Sequence, residues 1–476
     1  MNQFLIPDLL LLALPFLIII SHFIAGKRHF VPFAVASLGF LAVFVLLNTL
    51  VLGTTQTFFG NWRIDSFGVF MREVLVLAAL LGTLFCKDYF DHSADGKPQL
   101  HQLPEFTAAL ATATFGGVAV VSACDLLTIF LGLELATVPM YALAAWNKAD
   151  AAGSEAGTKY ILMGSVATAL ELFGFSYLYG FSGSINLGAI GSAVTADPSS
   201  PLLWIAVLFL VCGVGFKLTL FPFHTWAPDV YEGAPTPVTA ILAVTSKAVA
   251  IIFLTTLVFG PFAGIHTQLI PFLSLLAAVT IFAGNLGALK QSRLRRFMAY
   301  SSISQAGYIL VAVLGPSVIA KSAIVYYLFV YTFANYLAFF VFGIIGHHRP
   351  ESFDSLRGLS KENPTLAVAL AVAAFSLAGI PPLAGFIGKF LLFESAAEVK
   401  SYALVAFAVL NNVIALYYYI QLIKGAWVDK TDDANPLPAL EVNFREKAAV
   451  VLLTIAVIFT GVVPFLSENI HYILSL

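Results

Sequence analysis

The feature that most limits what this chain can become is how rarely its apolar runs are interrupted. Runs of about 20 hydrophobic residues, each long enough to cross the hydrocarbon core of a bilayer as a helix, follow one another with only short polar joints between them. Spans are predicted near 7–25, 30–52, 67–86, 106–121, 124–146, 158–181, 202–223, 237–259, 269–289, 298–314, 319–345, 365–398, 401–425 and 447–465. This is an all-α polytopic membrane protein with about fourteen transmembrane helices. Charged residues make up 11% of the chain, against roughly 25% in a soluble domain. The net charge of −2 rules out a basic nucleic-acid surface. Cys86, Cys124 and Cys212 are scattered without disulfide or metal-ligand spacing, so no haem, zinc or iron–sulfur cluster is expected here. The first run lacks a basic leader and a small-residue cleavage site, which predicts a retained helix.

The lysines and arginines test the helix count. Assigned loop by loop, seventeen fall on one side, Lys27, Lys97 and Lys148 among them, and four on the other: Arg63, Arg72, Lys321 and Lys400. The positive-inside rule then puts both termini on the non-cytoplasmic side. A bacterial inner membrane is the expected location. The longest polar loops, near 87–105 and 428–446, are too short to fold alone.

Three lysines, Lys217, Lys247 and Lys389, and two carboxylates, Glu134 and Glu171, fall inside apolar spans instead. Lysine or aspartate at the centre of a spanning helix costs roughly 2.5–3.5 kcal/mol on insertion scales. Structural ion pairs or snorkelling would be the bland explanation, but Lys247 and Glu134 lie too near mid-span to reach an interface. A proton or ion path is the better reading. A lysine that gains or loses a carboxylate partner can be switched between holding and releasing a proton, whereas arginine stays protonated.

Prolines accompany these charges. Pro139 removes the hydrogen bond to the carbonyl of Leu135 beside Glu134, and Pro222 that to Leu218 beside Lys217. Pro381 and Pro382 free the carbonyls of Leu377 and Ala378 ahead of Lys389. The stretch 365–398 is too long for one straight helix and should break at these prolines. Spans four to eight and nine to thirteen each contain five helices, with the interrupted helix in fourth place (helices 7 and 12). That order suggests two inverted repeats, an architecture known from transporters. The expected organisation is an N-terminal three-helix segment (1–105), a first five-helix repeat (106–260), a second, inverted one (261–425), and a C-terminal loop and last helix (426–476).

Several motifs together resemble a known family. They are F-K-L-T-L-F-P-F-H-T-W-A-P-D-V-Y-E-G-A-P-T-P-V from Phe216 to Val238, L-G-L-E-L-A-T-V-P-M around Glu134 and T-S-K-A around Lys247. R-R-F-M-A-Y-S-S-I-S-Q-A-G-Y from Arg295 to Tyr308 and S-L-A-G-I-P-P-L-A-G-F-I-G-K-F from Ser376 to Phe390 complete the set. Over roughly residues 105–425 the chain is similar to the antiporter-like membrane subunits of respiratory complex I, Mrp-type cation/proton antiporters and membrane-bound hydrogenases. The branch it resembles most ends at its fourteenth helix and carries lysine in the position of Lys389.

The resemblance implies a proton-translocating subunit of an NADH:quinone oxidoreductase. Glu134 and Lys217 would be the paired charge of the input half, Lys247 the central relay and Lys389 the terminal site. It implies no redox centre in this chain: NADH or another donor, FMN, iron–sulfur clusters and quinone would belong to partner subunits, with subunits M and K as neighbours. Gln305 stands where many relatives carry histidine, so Ser302, Ser304 or a water would have to carry a relay there. Glu171 either faces that relay or meets a neighbouring subunit. His224 is either a proton carrier or a partner for freed backbone groups. Glu155 and Lys159 form either an ordinary helix pair or part of a charge network. Asp229 and Tyr231 are expected to shape the helix break, and Tyr417, Tyr418 and Tyr419 an interfacial belt or packing. An Mrp-type antiporter or hydrogenase subunit is the alternative assignment. A scaffold whose charges only stabilise helix contacts is a reading of a different class.

Overall fold

The computed structural model describes residues 3–26, 28, 30–50, 53, 55–91, 99–147, 150–430, 437–463 and 465–475. Lys27, Lys97 and Lys148 of the charge count lie outside the described residues, as do the end of the predicted span 30–52 and parts of both long loops. Among the described residues the fold is helical almost throughout, with one small antiparallel hairpin pairing Gln56–Phe58 with Trp62–Ile64.

Among the described residues, ten helices are long and apolar enough to cross a membrane. An eleventh follows if Phe444–Val462 and Leu466–Ser475, bent by 61°, count as one span. Three predicted spans coincide with helices that do not qualify, each for a physical reason. Pro201–Lys217 stops short, Pro364–Ala378 is separated from Ala384–Glu398, and Leu294–Ala312 carries two arginines and a Ser-Ser-Ile-Ser-Gln run. The first ends six residues before the predicted boundary at 223, because Thr219 turns the backbone to a positive φ of 58° and Pro222 offers no N–H to Leu218. The peptides preceding Pro222 and Pro382 are both cis. A short helix, Leu187–Ala196, capped by Asn186, was not anticipated.

Burial is uneven in a way that places the site. Thr236–Val258 and Ser317–Gly346 are each 94% buried over their most apolar window, whereas Ala151–Ser182 and Tyr402–Trp427 are 33% buried. Two central helices are thus enclosed by a ring whose outer faces are left to lipid or to other chains. Within the first, Leu242–Ser246 forms a wide π-type turn immediately before Lys247. Such a turn re-aims the residues that follow it.

Two five-helix groups pack by the same plan. In each, the first two helices lie against one another (Leu103–Ser122 on Leu126–Ala144; His266–Ala288 on Leu294–Ala312). The third (Ala151–Ser182; Ser317–Gly346) then packs on both halves of the broken fourth. Glycine permits the close approach of the first two in both groups, as small residues do between membrane helices. A Cβ on Gly116 would lie 2.3 Å from the Ala136 nitrogen, and one on Gly284 2.5 Å from the Ser304 nitrogen.

The N-terminal segment is fastened by a buried ion pair. Arg72, counted above among loop charges, instead lies inside Ser66–Asp91. It donates from Nε to Asp8 at 2.9 Å, and its guanidinium also reaches Ser122 at 2.6 Å. Trp62 donates to the same carboxylate at 2.9 Å. Hydropathy could not reveal this, because the two partners are far apart in sequence and cancel only in space.

Candidate functional site

Lys217 ends the first half-helix and is 4% exposed; Glu171, from Ala151–Ser182, is wholly buried opposite it, with Nζ and Oε2 3.5 Å apart. Helix Pro201–Lys217 makes room with Gly213, where a Cβ would meet the Glu171 Cγ at 1.9 Å. In this structure the carboxylate within ion-pair distance of Lys217 is Glu171, which faces inward, and not Glu134, the partner that the resemblance implied. Glu134 accepts a hydrogen bond from Thr168 at 2.9 Å and lines an outward-opening groove of about 670 Å³ between Leu126–Ala144 and Ala151–Ser182. On the inner side, a cavity of about 10 Å³ touches Lys217, Thr137, Tyr160, Thr245 and Ser246. That is space for about one water molecule.

The carbonyls released by the prolines are where the other two lysines point. Lys247 donates to the Thr219 hydroxyl at 2.7 Å and reaches the Leu218 carbonyl at 3.5 Å, while Thr219 donates to that same carbonyl at 2.6 Å. Lys389 donates to the carbonyls of Leu377 at 2.8 Å and Ala378 at 3.3 Å, and to Asn412 Oδ1 at 2.6 Å. Its Nζ also sits 4.6 Å from the centre of the Tyr308 ring. Both broken helices thus present bare carbonyls to a buried ammonium, as the Pro222 and Pro381–Pro382 positions predict.

Hydroxyls and amides run between these lysine sites. Tyr231 and Ser302 oxygens are 3.5 Å apart, and Tyr331 donates to Ser302 at 3.1 Å. One turn on, Gln305 accepts from Tyr327 at 2.5 Å and donates to Tyr419 at 3.3 Å and to the Leu377 carbonyl at 3.0 Å. Gln305 and Lys389 therefore share one acceptor. Ser301 and Tyr419 hydroxyls are 2.5 Å apart, and Ser304 lies 3.4 Å from Tyr418, which donates to Asn285 at 3.1 Å. Of the tyrosine triplet, Tyr418 and Tyr419 are packed inside the bundle, as one of the two expectations had it, and their hydroxyls join this network; Tyr417, 58% exposed, faces outward. His224 stacks beside Phe221, and its buried Nδ1 makes no hydrogen bond, so it does not serve the freed carbonyls.

Near the end of the bundle that the charge distribution assigns to the cytoplasm, Glu155 and Lys159 are more than a helix pair. Lys159 reaches Glu155 at 2.6 Å and Asp229 at 2.7 Å; Asp229 in turn meets Arg296 at 2.7 Å, and Arg296 meets Glu232 at 2.9 Å. Partial burial pushes the Asp229 carboxyl up, but hydrogen bonds from Lys159 and Arg296 outweigh it and hold the group below its ordinary value. Arg295 pairs with Glu351 at 2.9 Å and also donates to the Ala234 carbonyl. Elsewhere, Asp88, His347 and Glu446 offer ligand atoms within 4.8 Å of one another. They join the ends of three helices and lie apart from the lysine row.

Sequence reasoning missed Asn412, Thr219, Asn285, Tyr327 and Tyr331, together with the buried Glu73. A signal existed for Asn412, since Asn411-Asn412 interrupts an otherwise apolar span. For the tyrosines there was little, because an aromatic in a membrane helix reads as packing.

Known proteins give this arrangement a context. Residues 123–415 match the family described as NADH:quinone oxidoreductase/Mrp antiporter, transmembrane. The chain is 37% identical over 412 residues to an NADH-quinone oxidoreductase subunit N of Moorella thermoacetica, covering 85% of this chain and 84% of that one. A chain of respiratory complex I from Thermus thermophilus superposes with a TM-score of 0.81 at 31% identity, over 97% of this chain and 98% of that one. A chain of the Mrp complex from Dietzia sp. DQ12-45-1b has a TM-score of 0.82 over 99% of this chain and 96% of that one, but at 20% identity it shares the fold alone.

Proposed function

Because the chain belongs to the NADH:quinone oxidoreductase/Mrp antiporter membrane family, we propose that it works as a proton-translocating membrane-arm subunit, of the subunit N type, in a complex I-type quinone oxidoreductase. The observation that carries this reading is the set of three buried lysines, Lys217, Lys247 and Lys389. Each is held by a carboxylate, a hydroxyl or freed carbonyls inside an apolar bundle. Groups so placed can take up and release protons, and protonation of one shifts its neighbours through coupled titration.

In this reading the chain does no redox chemistry. The donor, with NADH as the default, together with FMN, iron–sulfur clusters and quinone, belongs to partner subunits. Lys217 with Glu171 forms the input charge, Lys247 the central relay and Lys389 the terminal site. Glu134 sits at the groove where a neighbouring chain would cover it, with subunits M and K as the neighbours expected. The similar packing of the two five-helix groups supports inverted repeats at 106–260 and 261–425 within fourteen crossings. With Arg72 set aside as a buried helix residue, the asymmetry of seventeen to three supports an inner-membrane location with both termini outside the cytoplasm. Lys217→Ala in the assembled, reconstituted complex should abolish or strongly reduce proton pumping coupled to quinone reduction. Wild-type pumping with full assembly would sink the assignment. The Mrp-type alternative rests on fold likeness; sodium-dependent growth rescue by the expressed chain and its partners would favour it.

A further inference from the structure

From the geometry around the second helix break we infer that Asn412 is a positioning residue for Lys389: its amide closes the ammonium's cradle and is the one movable member of it. The inference rests on the function proposed above. An ammonium carries three N–H donors and no acceptor. Lys389 faces three acceptors, the Leu377 and Ala378 carbonyls and Asn412 Oδ1, and among the described residues no carboxylate forms an ion pair with it. Asn412 closes a ring by donating from Nδ2 to the Ala378 carbonyl at 2.9 Å. Its orientation is forced, because an ammonium can only donate and a carbonyl can only accept.

The two carbonyls belong to backbone fixed by the proline pair and by Gly379 at a φ of 82°, where a Cβ would approach Lys389 Cδ to 3.0 Å. They cannot turn away. When Lys389 releases its proton, the amine keeps two donors and gains a lone pair, which three acceptors cannot accommodate. The two remaining N–H groups can serve the Leu377 and Ala378 carbonyls, so the lone pair falls opposite Asn412, whose rotation gives up its own bond to Ala378. Only the Asn412 side chain can rotate to offer its N–H₂ to the amine. Asn412 is also half-buried, on a helix whose neighbouring Val409, Leu410 and Val413 face outward, so it stands between Lys389 and the outer surface. It can thereby answer to the protonation state of the lysine from a position a partner chain can touch.

The test uses the assembled complex reconstituted in liposomes, with pumping and quinone reduction followed across pH. Asn412→Asp puts a carboxylate against the ammonium in the same space, and Asn412→Leu removes the acceptor. The pH profiles of pumping should move in opposite directions, each by on the order of one pH unit, while the chain remains in the complex. Should the leucine variant fail to assemble, the isosteric aspartate variant decides alone. A wild-type profile in Asn412→Asp overturns the inference. Lys389→Ala and Lys217→Ala are run alongside: if they pump normally the proposed function fails, and if they fail while Asn412→Asp is unaltered only the role of Asn412 falls.

Discussion

At the scale of the residue, the two carboxylates near Lys217 differ in the partners they have. Glu171 has Lys217 within ion-pair distance and neither of its oxygens is hydrogen-bonded, while Glu134 has Thr168 and an open groove. Breaking one side of a buried pair leaves the other charge uncompensated, at a cost of about 3–5 kcal/mol, so the two carboxylates should respond differently to the loss of Lys217. A double-mutant cycle on pumping and stability separates them. Glu171→Gln and Lys217→Ala should be strongly non-additive, with a coupling of about 1–3 kcal/mol, whereas Glu134→Gln and Lys217→Ala should add to within about 0.5 kcal/mol. Equal coupling in both cycles would return Glu134 to the ion pair that the resemblance implied.

At the scale of the element, the broken helices and the glycine-mediated contacts decide where those residues sit. A leucine at Gly116 would drive its side chain into the backbone of Leu135 and Ala136. Overpacking of a well-packed contact costs about 1–3 kcal/mol and can cost more, so Gly116→Leu and the matching Gly284→Leu should cut the amount of chain recovered in the membrane. Gly180→Ala, whose Cβ would come no closer than 3.9 Å to Leu202, should leave it unchanged. Normal recovery of both leucine variants would mean that the helices can separate without loss. Much of this level was legible in sequence, because spans follow from apolar length and breaks from proline chemistry. Pro222, Pro381 and Pro382 located the bare carbonyls that Lys247 and Lys389 use. The partners across helices were not legible. The resemblance pointed from Lys217 to Glu134, and spacing along one helix could not show that Ala151–Ser182 turns Glu171 inward against it. Tyr418 and Tyr419 were read as belt or packing because a hydroxyl's partners, here Ser301, Ser304 and Asn285, lie more than a hundred residues away.

At the scale of the whole molecule, the two five-helix groups are tied together at two levels. Inside the bundle, Tyr231 of the first group meets Ser302 of the second, and Ser302 and Gln305 share a helix with Arg296. At its end, Asp229 of the first group receives Arg296 of the second as well as Lys159 of its own. Motion of the half-helix Trp226–Gly233 would therefore move both Tyr231 and Asp229 against the same neighbour. Such coupling would let the charge network transmit motion, and the network's share of stability carries a definite pH sign. Because Asp229 is held below its ordinary value in the folded chain, its stabilisation is fully present above the pKa of the unfolded group. It is lost as pH falls through the lower, folded value. Heating the purified complex at a series of pH values should show wild type losing stability on the acid side through that window. Asp229→Asn should be less stable than wild type near neutrality and flatter through the acid window. Parallel pH curves for the two proteins would mean that the Lys159–Asp229–Arg296 contact is a solvated pairing without mechanical weight, and that the halves are joined through their other contacts, Tyr231–Ser302 and Arg296–Glu232 among them.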